Sequence, residues 1–489
     1  MNEHGGGTNI GGMGRVLVAS NRGPVSFTQD ASGALCARRG GGGLVSGLSS
    51  VTGEADLLWI CAALSDADRA AAHKAPGGRL DPDGHDMPSP VLMLDIPPET
   101  FHQAYNSVAN STLWFINHLL YDTPNQPQFG AGFTGEWESY REYNTAFAKA
   151  LADSAGDDGA RAMVQDYHLA LVPGMLARLR PGVRIAHFSH TPWAPPDYYR
   201  MLPDDVGREL LAGMLGADHA GFLSARWADA FLDCCEDILG AEVDRATRRV
   251  SYRGHVTGIG VHPLGVDAAD LRQRAKAADV EAHVAALTEA TKGRQLIVRI
   301  DRTELSKNIV RGLAAYRELL ATRPGLHGQV THLAFAYPSR HDLPEYRDYT
   351  DSVLRIAREI NDEFGTPDWD PLILAVKDDY ARSLAAYRLA DVLVVNPIRD
   401  GMNLVAKEAP IVSERGCALV LSREAGACDE LGGDALVVNP YDVSATARAM
   451  YEGLTMPRAL RRRRCAALAE AGGALPPGQW LTDQLTALG

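Results

Sequence analysis

The residues with the most chemical potential come in short runs that follow apolar stretches. Arg302 and Lys307 lie five residues apart in Arg302-Thr303-Glu304-Leu305-Ser306-Lys307-Asn308, after the apolar run 295–300 and at the start of a predicted helix. A helix N-terminus carries partial positive charge, so cations there are unfavourable unless an anion is present. Both side chains and the helix start can converge on a diphosphate; the alternative is a solvated Arg and Lys. A second run, Arg399-Asp400-Gly401-Met402-Asn403-Leu404-Val405-Ala406-Lys407-Glu408, follows the apolar strand Ala-Asp-Val-Leu-Val-Val. The spacing predicts that Gly401 to Leu404 form a first helical turn whose free N–H groups face an anion. Asp400 before that turn can bind hydroxyls, and Glu408, about two turns on, can reach a ribose. The alternative is an N-cap Asp and an exposed Glu.

The first half of the chain carries three further segments. Ser20-Asn21-Arg22-Gly23-Pro24, with the glycine run 40–43, can present backbone N–H groups and the Arg22 fork to a phosphate, or can be a surface loop. In Val164-Gln165-Asp166-Tyr167-His168 an acid follows a β run directly. Asp166 can accept hydrogen bonds from sugar hydroxyls, or can cap a helix starting near Leu169. His190, in His187-Phe188-Ser189-His190-Thr191-Pro192-Trp193, ends another strand before a Pro-containing turn, as a site residue or a structural one. Later, Arg340 follows the run 329–336 as a second phosphate ligand or a plain surface residue, and the window holding Tyr380 also follows a strand.

Elements must carry these segments to one place. Short β-like runs at 15–20, 57–62, 162–165, 184–188 and 220–223 alternate with helical stretches at 98–118, 136–153, 170–179 and 225–239. A second series has strands at 295–300, 329–336, 372–376, 392–395 and 418–421. Its helices are expected at 306–321, 343–363, 379–389, 401–408 and 443–454. Alternation of this kind predicts an α/β fold with parallel sheets covered on both faces. Residues 258–271 read as the connection between the series, and 458–471, rich in Arg and Ala, as a surface helix. The expected layout is a flexible arm at 1–14, an N-terminal domain at 15–265, a second domain at 266–455, and C-terminal helices at 456–489 packing back on the first domain. Open parallel sheets place ligands at the carboxyl ends of their strands, where every one of these segments lies.

Composition narrows the classes. The chain has 489 residues, 46% hydrophobic and 22% charged, enough for sizeable cores rather than disorder. Its net charge of −13 argues against a general nucleic-acid binder. The seven cysteines include no C-x-x-C pair, which points away from a zinc site and towards a reducing cytoplasm. No run approaches the ~20 apolar residues of a membrane span, and the N-terminus lacks a secretory pattern. No G-x-G-x-x-G follows a strand, which counts against a dinucleotide oxidoreductase.

In this order, the segments resemble the trehalose-6-phosphate synthases. Arg-Asp-Gly-Met-Asn-Leu-Val-Ala-Lys-Glu is highly specific for that family, as are Ser-Asn-Arg near the N-terminus, Asp-Tyr-His-Leu, and Val-Asn-Pro-Tyr-Asp at 438–442. The resemblance runs from about Arg15 to the C-terminus. It implies the GT-B arrangement of two facing Rossmann-like domains and retaining transfer of glucose from a nucleoside-diphosphate glucose to glucose 6-phosphate. It implies no cofactor and no metal; oligomeric state leaves no signature, and a homo-oligomer is compatible.

Residue by residue, Arg22 and Arg340 resemble the holders of the acceptor's 6-phosphate, and Gly43 a backbone donor to the diphosphate. Asp166 resembles the carboxylate near the reacting hydroxyl, and His190 a ligand of the donor glucose. Arg302 and Lys307 resemble the diphosphate cations. Asp400, with the amides of Gly401, Met402, Asn403 and Leu404, resembles the clamp on the transferred glucose. Glu408 resembles the ribose ligand, and Tyr380 lies where the family contacts the base, largely through backbone. The sequence departs from the family pattern at Leu119, where an aromatic residue is usual after Trp-x-x-x-His; Tyr121 lies two residues on. The family's Arg-Leu-Asp-Tyr-Ser/Thr-Lys-Gly is Arg302 to Asn308 here, and pseudo-glycosyltransferases that couple cyclitols share its Arg-Thr and Lys-Asn. A non-catalytic sugar-phosphate sensor would be expected to lack one of Arg302, Lys307, Asp400 or Glu408, and all four are present.

Overall fold

The computed structural model describes residues 14–30, 32–40, 56–82, 87, 89–156 and 159–489. Gly43, most of the 40–43 glycine run, the 44–51 segment and nearly all of the N-terminal arm lie outside the described residues. The chain forms two compact units, Met1–Leu264 with Pro477–Gly489, and Gly265–Pro476.

The strands of the first unit are β1 (Val16–Ser20), β2 (Val25–Gln29), β3 (Leu35–Arg39), β4 (Leu57–Ala62), β5 (Arg79–Leu80), β6 (Val91–Leu94), β7 (Arg161–Gln165), β8 (Arg184–Ser189), β9 (His219–Phe222), β10 (Glu242–Asp244), β11 (Arg249–Tyr252) and β12 (His255–Val261). One sheet has the order β10-β11-β12-β9-β8-β7-β1-β4-β6-β5, while β2 and β3 make a separate hairpin. From β12 to β6 all neighbours are parallel, with β5 and the β10–β11 pair added antiparallel at the edges. β1 is fully buried, as expected of a parallel strand covered on both faces. It lies between β4 and β7, where strand order reverses, and such a switch point opens a crevice at the strand ends.

Residues 258–271 are not simply a connection, because His255–Val261 is a strand paired with β9 and β11. Its glycines look like loop but make room for histidines. A Cβ on Gly260 would come 2.5 Å from His219 Nε2, and His219 and His262 meet at 2.8 Å. The 98–118 helix forms, with an i→i+5 stretch at Gln103–Leu113 inside it.

The second unit contains β13 (Gln295–Arg302), β14 (Val330–Tyr337), β15 (Leu372–Ala375), β16 (Val392–Val395), β17 (Ala418–Ser422) and β18 (Leu436–Val438), in the order β15-β14-β13-β16-β17-β18. Every pair is parallel, and order reverses between β13 and β16. Ile297, Leu313, Tyr316, Val330, Ile360, Val392 and Met450 belong to its core. The sequence pattern ended the first strand at Ile300, yet β13 continues to Arg302. Arg299 and Asp301 can stay buried in it because they pair at 2.7 Å.

The expected C-terminal segment 456–489 divides. The helix Arg458–Gly472 remains in the second unit, and only Pro477–Gly489 joins the first. Nor is that helix confined to the surface. Arg461, Cys465, Leu468 and Gly472 are buried, a helical stripe hidden in the sequence by its arginines and alanines. Arg461 bonds Asp391 at 3.0 Å, and Gly472 lies against Lys407, where a Cβ would come 3.1 Å from its carbonyl oxygen. Among the described residues no helix is long and apolar enough to cross a membrane.

Candidate active site

In the second unit, the ends of β13 and β16 flank the switch point. After β13 the chain makes a short 3-10 turn at Leu305–Lys307, and the helix proper starts at Ile309. The two cations therefore lie on a strand end and a tight turn rather than on the helix. The turn is tied across the switch point, since Ile398 N donates to Ser306 O at 2.7 Å. Asn308 Nδ2 donates to the carbonyls of Asn396 and Pro440, at 2.9 and 2.8 Å. Arg299 Nη2 holds the Lys307 carbonyl at 3.1 Å.

Lys307 Nζ makes a short ion pair with Asp400 Oδ2, which joins the two candidate segments directly. Burial disfavours the ammonium, but Asp400, Glu304 and Asp301 outweigh it, and the pKa is raised. Arg302 is mostly exposed and pairs with Glu304 Oε1 at 3.1 Å. Arg340 has φ +49° and donates to Tyr346 Oη at 2.7 Å.

Gly401 to Leu404 do not make one helical turn. The helix runs Leu404–Val412 with Asn403, at φ +79°, as its N-cap. The Asn403 side chain accepts from Ala406 N at 3.2 Å and donates to Asp400 Oδ2 at 3.1 Å. Asp400 is therefore not the cap of this helix. The loop at 424–427 comes close here: the Met402 carbonyl accepts from Ala427 N at 2.8 Å, and Gly426 must be glycine because a Cβ on it would meet Gly401 O at 2.0 Å. The first amides of a helix lack acceptors within it, so Leu404 and its neighbours keep an anion-seeking dipole. Glu408, on the same helix, is largely buried, which pushes its carboxyl up to about 7. Tyr380 starts another helix, Tyr380–Leu389, whose N-cap Asp379 accepts from Arg382 N. Burial, then the Glu408 charge, raises the Tyr380 hydroxyl to about 12.

In the first unit, β1 and β7 flank the other switch point. Asn21 is buried and accepts from Tyr143 Oη at 2.6 Å, while exposed Arg22 reaches Tyr105 Oη at 3.5 Å. Tyr105 comes from the i→i+5 stretch and stacks on Phe101 and His168. Asp166 has φ +72° and does not cap the helix expected near Leu169, which starts at Val172. Instead its Oδ1 accepts from His190 N at 3.1 Å, so two of the expected residues are coupled. His190 Nε2 meets Gln165 Oε1 at 3.0 Å. Burial, then neighbouring His187, lowers its pKa to about 3, so the ring is neutral near pH 7 and its Nδ1 is an acceptor. Trp480, from Gln479–Ala487, meets the His190 ring edge-on. Tyr121 Oη donates to Ser111 O at 2.8 Å, so its hydroxyl proton is already engaged.

The expected residues thus gather in two sets. Lys307, Asp400, Asn403 and Arg302 surround one switch point, with Arg340 on the loop after β14 and Tyr380 at the start of the helix after β15. Arg22, Asp166 and His190 belong to the other unit. Sequence reasoning missed Glu304, Tyr105, Gln165 and Trp480 as partners. An acid between Arg302 and Lys307 was a visible signal for Glu304, whereas nothing local marked Trp480.

A family model described as glycosyltransferase family 20 matches residues 14–488. The α,α-trehalose-phosphate synthase [UDP-forming] 2 of Aspergillus fumigatus is 33% identical over 460 residues, 92% of each chain. A probable α,α-trehalose-phosphate synthase of Arabidopsis thaliana is 32% identical over 92% of this chain, which spans 54% of that longer relative. A validamine 7-phosphate valienyltransferase of Streptomyces hygroscopicus subsp. jinggangensis is 30% identical, over 97% of this chain and 94% of its own. A solved E. coli structure described as bound with UDP-2-fluoro glucose superposes with a TM-score of 0.85 at 27% identity, covering 97% of this chain and 98% of its own. The Burkholderia xenovorans α,α-trehalose-phosphate synthase (UDP-forming) in complex with glucose-6-phosphate gives 0.84 at 26% identity, covering 97% and 100%.

Proposed function

Because the chain belongs to glycosyltransferase family 20, we propose that it is an α,α-trehalose-phosphate synthase of the GT-B fold class, moving glucose from a nucleoside-diphosphate glucose to glucose 6-phosphate. The observation that carries this reading is the Lys307–Asp400 pair at the β13–β16 switch point, beside Arg302 and the Leu404 helix start. This arrangement supports the reading because cations, amide dipoles and a hydroxyl acceptor meet at a strand-end switch point, the kind of position at which open parallel sheets bind phosphorylated ligands.

In the proposed reaction the bond from glucose C1 to the diphosphate oxygen breaks. Arg302, Lys307 and the helix start stabilise the departing charge. The acceptor hydroxyl bonds to C1 on the same face, and its proton passes to a diphosphate oxygen, which retains configuration. Trapping a glucosyl–enzyme adduct would refute this route. Asp166 is proposed to orient the acceptor near that hydroxyl, and neutral His190 to accept from a donor-sugar hydroxyl through Nδ1. Glu408 is assigned to the ribose and the Tyr380 backbone to the base. A cytoplasmic location is proposed from the cysteine usage, seven residues with no C-x-x-C pair.

The test is purified protein with glucose 6-phosphate and a panel of UDP-, GDP- and ADP-glucose, with product identified by NMR and mass spectrometry. Trehalose 6-phosphate and free nucleoside diphosphate are expected, with UDP-glucose the lead donor by the names of the relatives. No product from any donor would sink the reading. The cyclitol-coupling alternative is favoured by Thr303 and Asn308 and by the valienyltransferase relative, and it predicts turnover only with cyclitol substrates.

Two smaller predictions follow from these assignments. Arg340→Ala should raise the KM for glucose 6-phosphate about tenfold or more, the scale of a lost charge-assisted bond, and move the nucleotide-sugar KM less. An unchanged acceptor KM would remove Arg340 from the phosphate site. The Glu408 carboxylate is the form that accepts from ribose, so donor KM should rise as pH falls through about 7. Glu408→Gln should flatten that profile, and a profile unchanged in the variant would clear Glu408. For stability the sign is opposite: the folded state holds this proton more tightly, so the group costs stability as pH rises from its ordinary 4.5 through about 7.

A further inference from the structure

Glu304 is fully buried just beyond β13, where the turn Leu305–Lys307 begins, an expensive place for a carboxylate without partners. Its Oε1 receives Arg302 Nη1 at 3.1 Å and the Ser339 hydroxyl at 2.9 Å. Its Oε2 is buried and has no hydrogen-bond partner among the described residues. Its backbone builds the turn as well, because Glu304 N donates to Arg302 O at 2.8 Å and Lys307 N to Glu304 O at 3.0 Å. Burial opposes ionisation, yet Arg302, Arg340 and Lys307 together hold the carboxyl down at about 2. The carboxylate is therefore charged throughout the working pH range. One oxygen is balanced through space rather than by hydrogen bonds, so charge is a large part of what Glu304 supplies.

We propose that Glu304 is the positioning residue of the phosphate-binding cations, one buried negative charge that orients Arg302 and keeps Arg302, Lys307 and Arg340 together before any substrate arrives. This deepens the proposed function and rests on it for the identity of the anions. Without Glu304 the three cations repel one another with less counter-charge. The potential at the diphosphate becomes more positive, so anions bind as well or better. Arg302, no longer anchored, loses its alignment on the leaving oxygen, and the loss falls on the transition state.

Glu304→Gln keeps the shape and can still accept from Ser339 while deleting the charge. The expected result is a kcat at least tenfold lower, with calorimetric Kd values for UDP and GDP unchanged or tighter. Glu304→Asp should recover part of kcat, because it restores the charge. A Glu304→Gln kcat within twofold of the parent chain would overturn the proposal, and so would diphosphate affinity lost in proportion to kcat, the mark of a merely structural role. Should Glu304→Gln fail to fold, Glu304→Asp carries the same test: kcat falling at constant Kd supports it, and parallel loss overturns it. An unmodified chain inactive with every donor would sink the functional reading itself. An active chain with an unaffected Glu304→Gln variant would sink only this inference.

Discussion

Arg302→Ala is expected to lower kcat about 10²–10³-fold, the usual cost of removing one preorganised donor to developing charge. The side chain is 58% exposed and pairs with the Glu304 carboxylate, so little packing is lost with it. The melting temperature should therefore stay close to that of the parent chain. Stripping Arg302 removes the largest of the cation contributions to the Glu304 carboxylate and leaves the Ser339 hydrogen bond, Arg340 and Lys307 to carry it, so any fall in melting temperature should be small beside that of Lys307→Met. The signature is a collapse in turnover at preserved stability, read by initial rates beside a thermal melt. Full activity would remove Arg302 from the reaction.

Lys307→Met should do two kinds of damage. It deletes the second cation proposed to face the leaving group, with an expected rate loss of similar size. It also leaves Asp400 without its ion-pair partner at a position only 15% exposed. Breaking a buried pair by removing one member typically costs about 3–5 kcal/mol, so a clear fall in melting temperature is expected. Pairing raises the Lys307 pKa, so its stabilisation is complete below its ordinary value of 10.5 and is lost only as pH rises through the higher folded value. The double variant Lys307→Met/Asp400→Asn separates the effects. It should regain part of the melting temperature and none of the turnover. A double variant no more stable than Lys307→Met would show that the pair is not what Lys307 contributes.

The contrast between these neighbours could not have been read from the chain. Both were visible as cations after an apolar run, but their burial depends on segments nearly a hundred residues apart meeting at one switch point. The helix start at Leu404 was also misplaced, because Gly401 and Met402 are held by the 424–427 loop instead of continuing into a helix. Asp166 looked like an N-cap because acids often are, and the structure turned it to the His190 amide. The predicted strand stopped at Ile300, just before Asp301, whose burial depends on its pairing with Arg299, a three-dimensional fact.

The order of elements and the place of the chemistry were both in the sequence. Short apolar runs and longer amphipathic stretches mark alternating strands and helices, and each candidate segment follows a strand. Parallel sheets put strand ends on one edge, so the segments were bound to collect there. Which charges would be buried, which paired, and which left exposed was decided only by tertiary structure. Desolvation and Coulomb attraction depend on distances that no local pattern encodes. The fully buried Glu304, the depressed His190 and the raised Glu408 all owe their state to neighbours brought in from elsewhere in the chain.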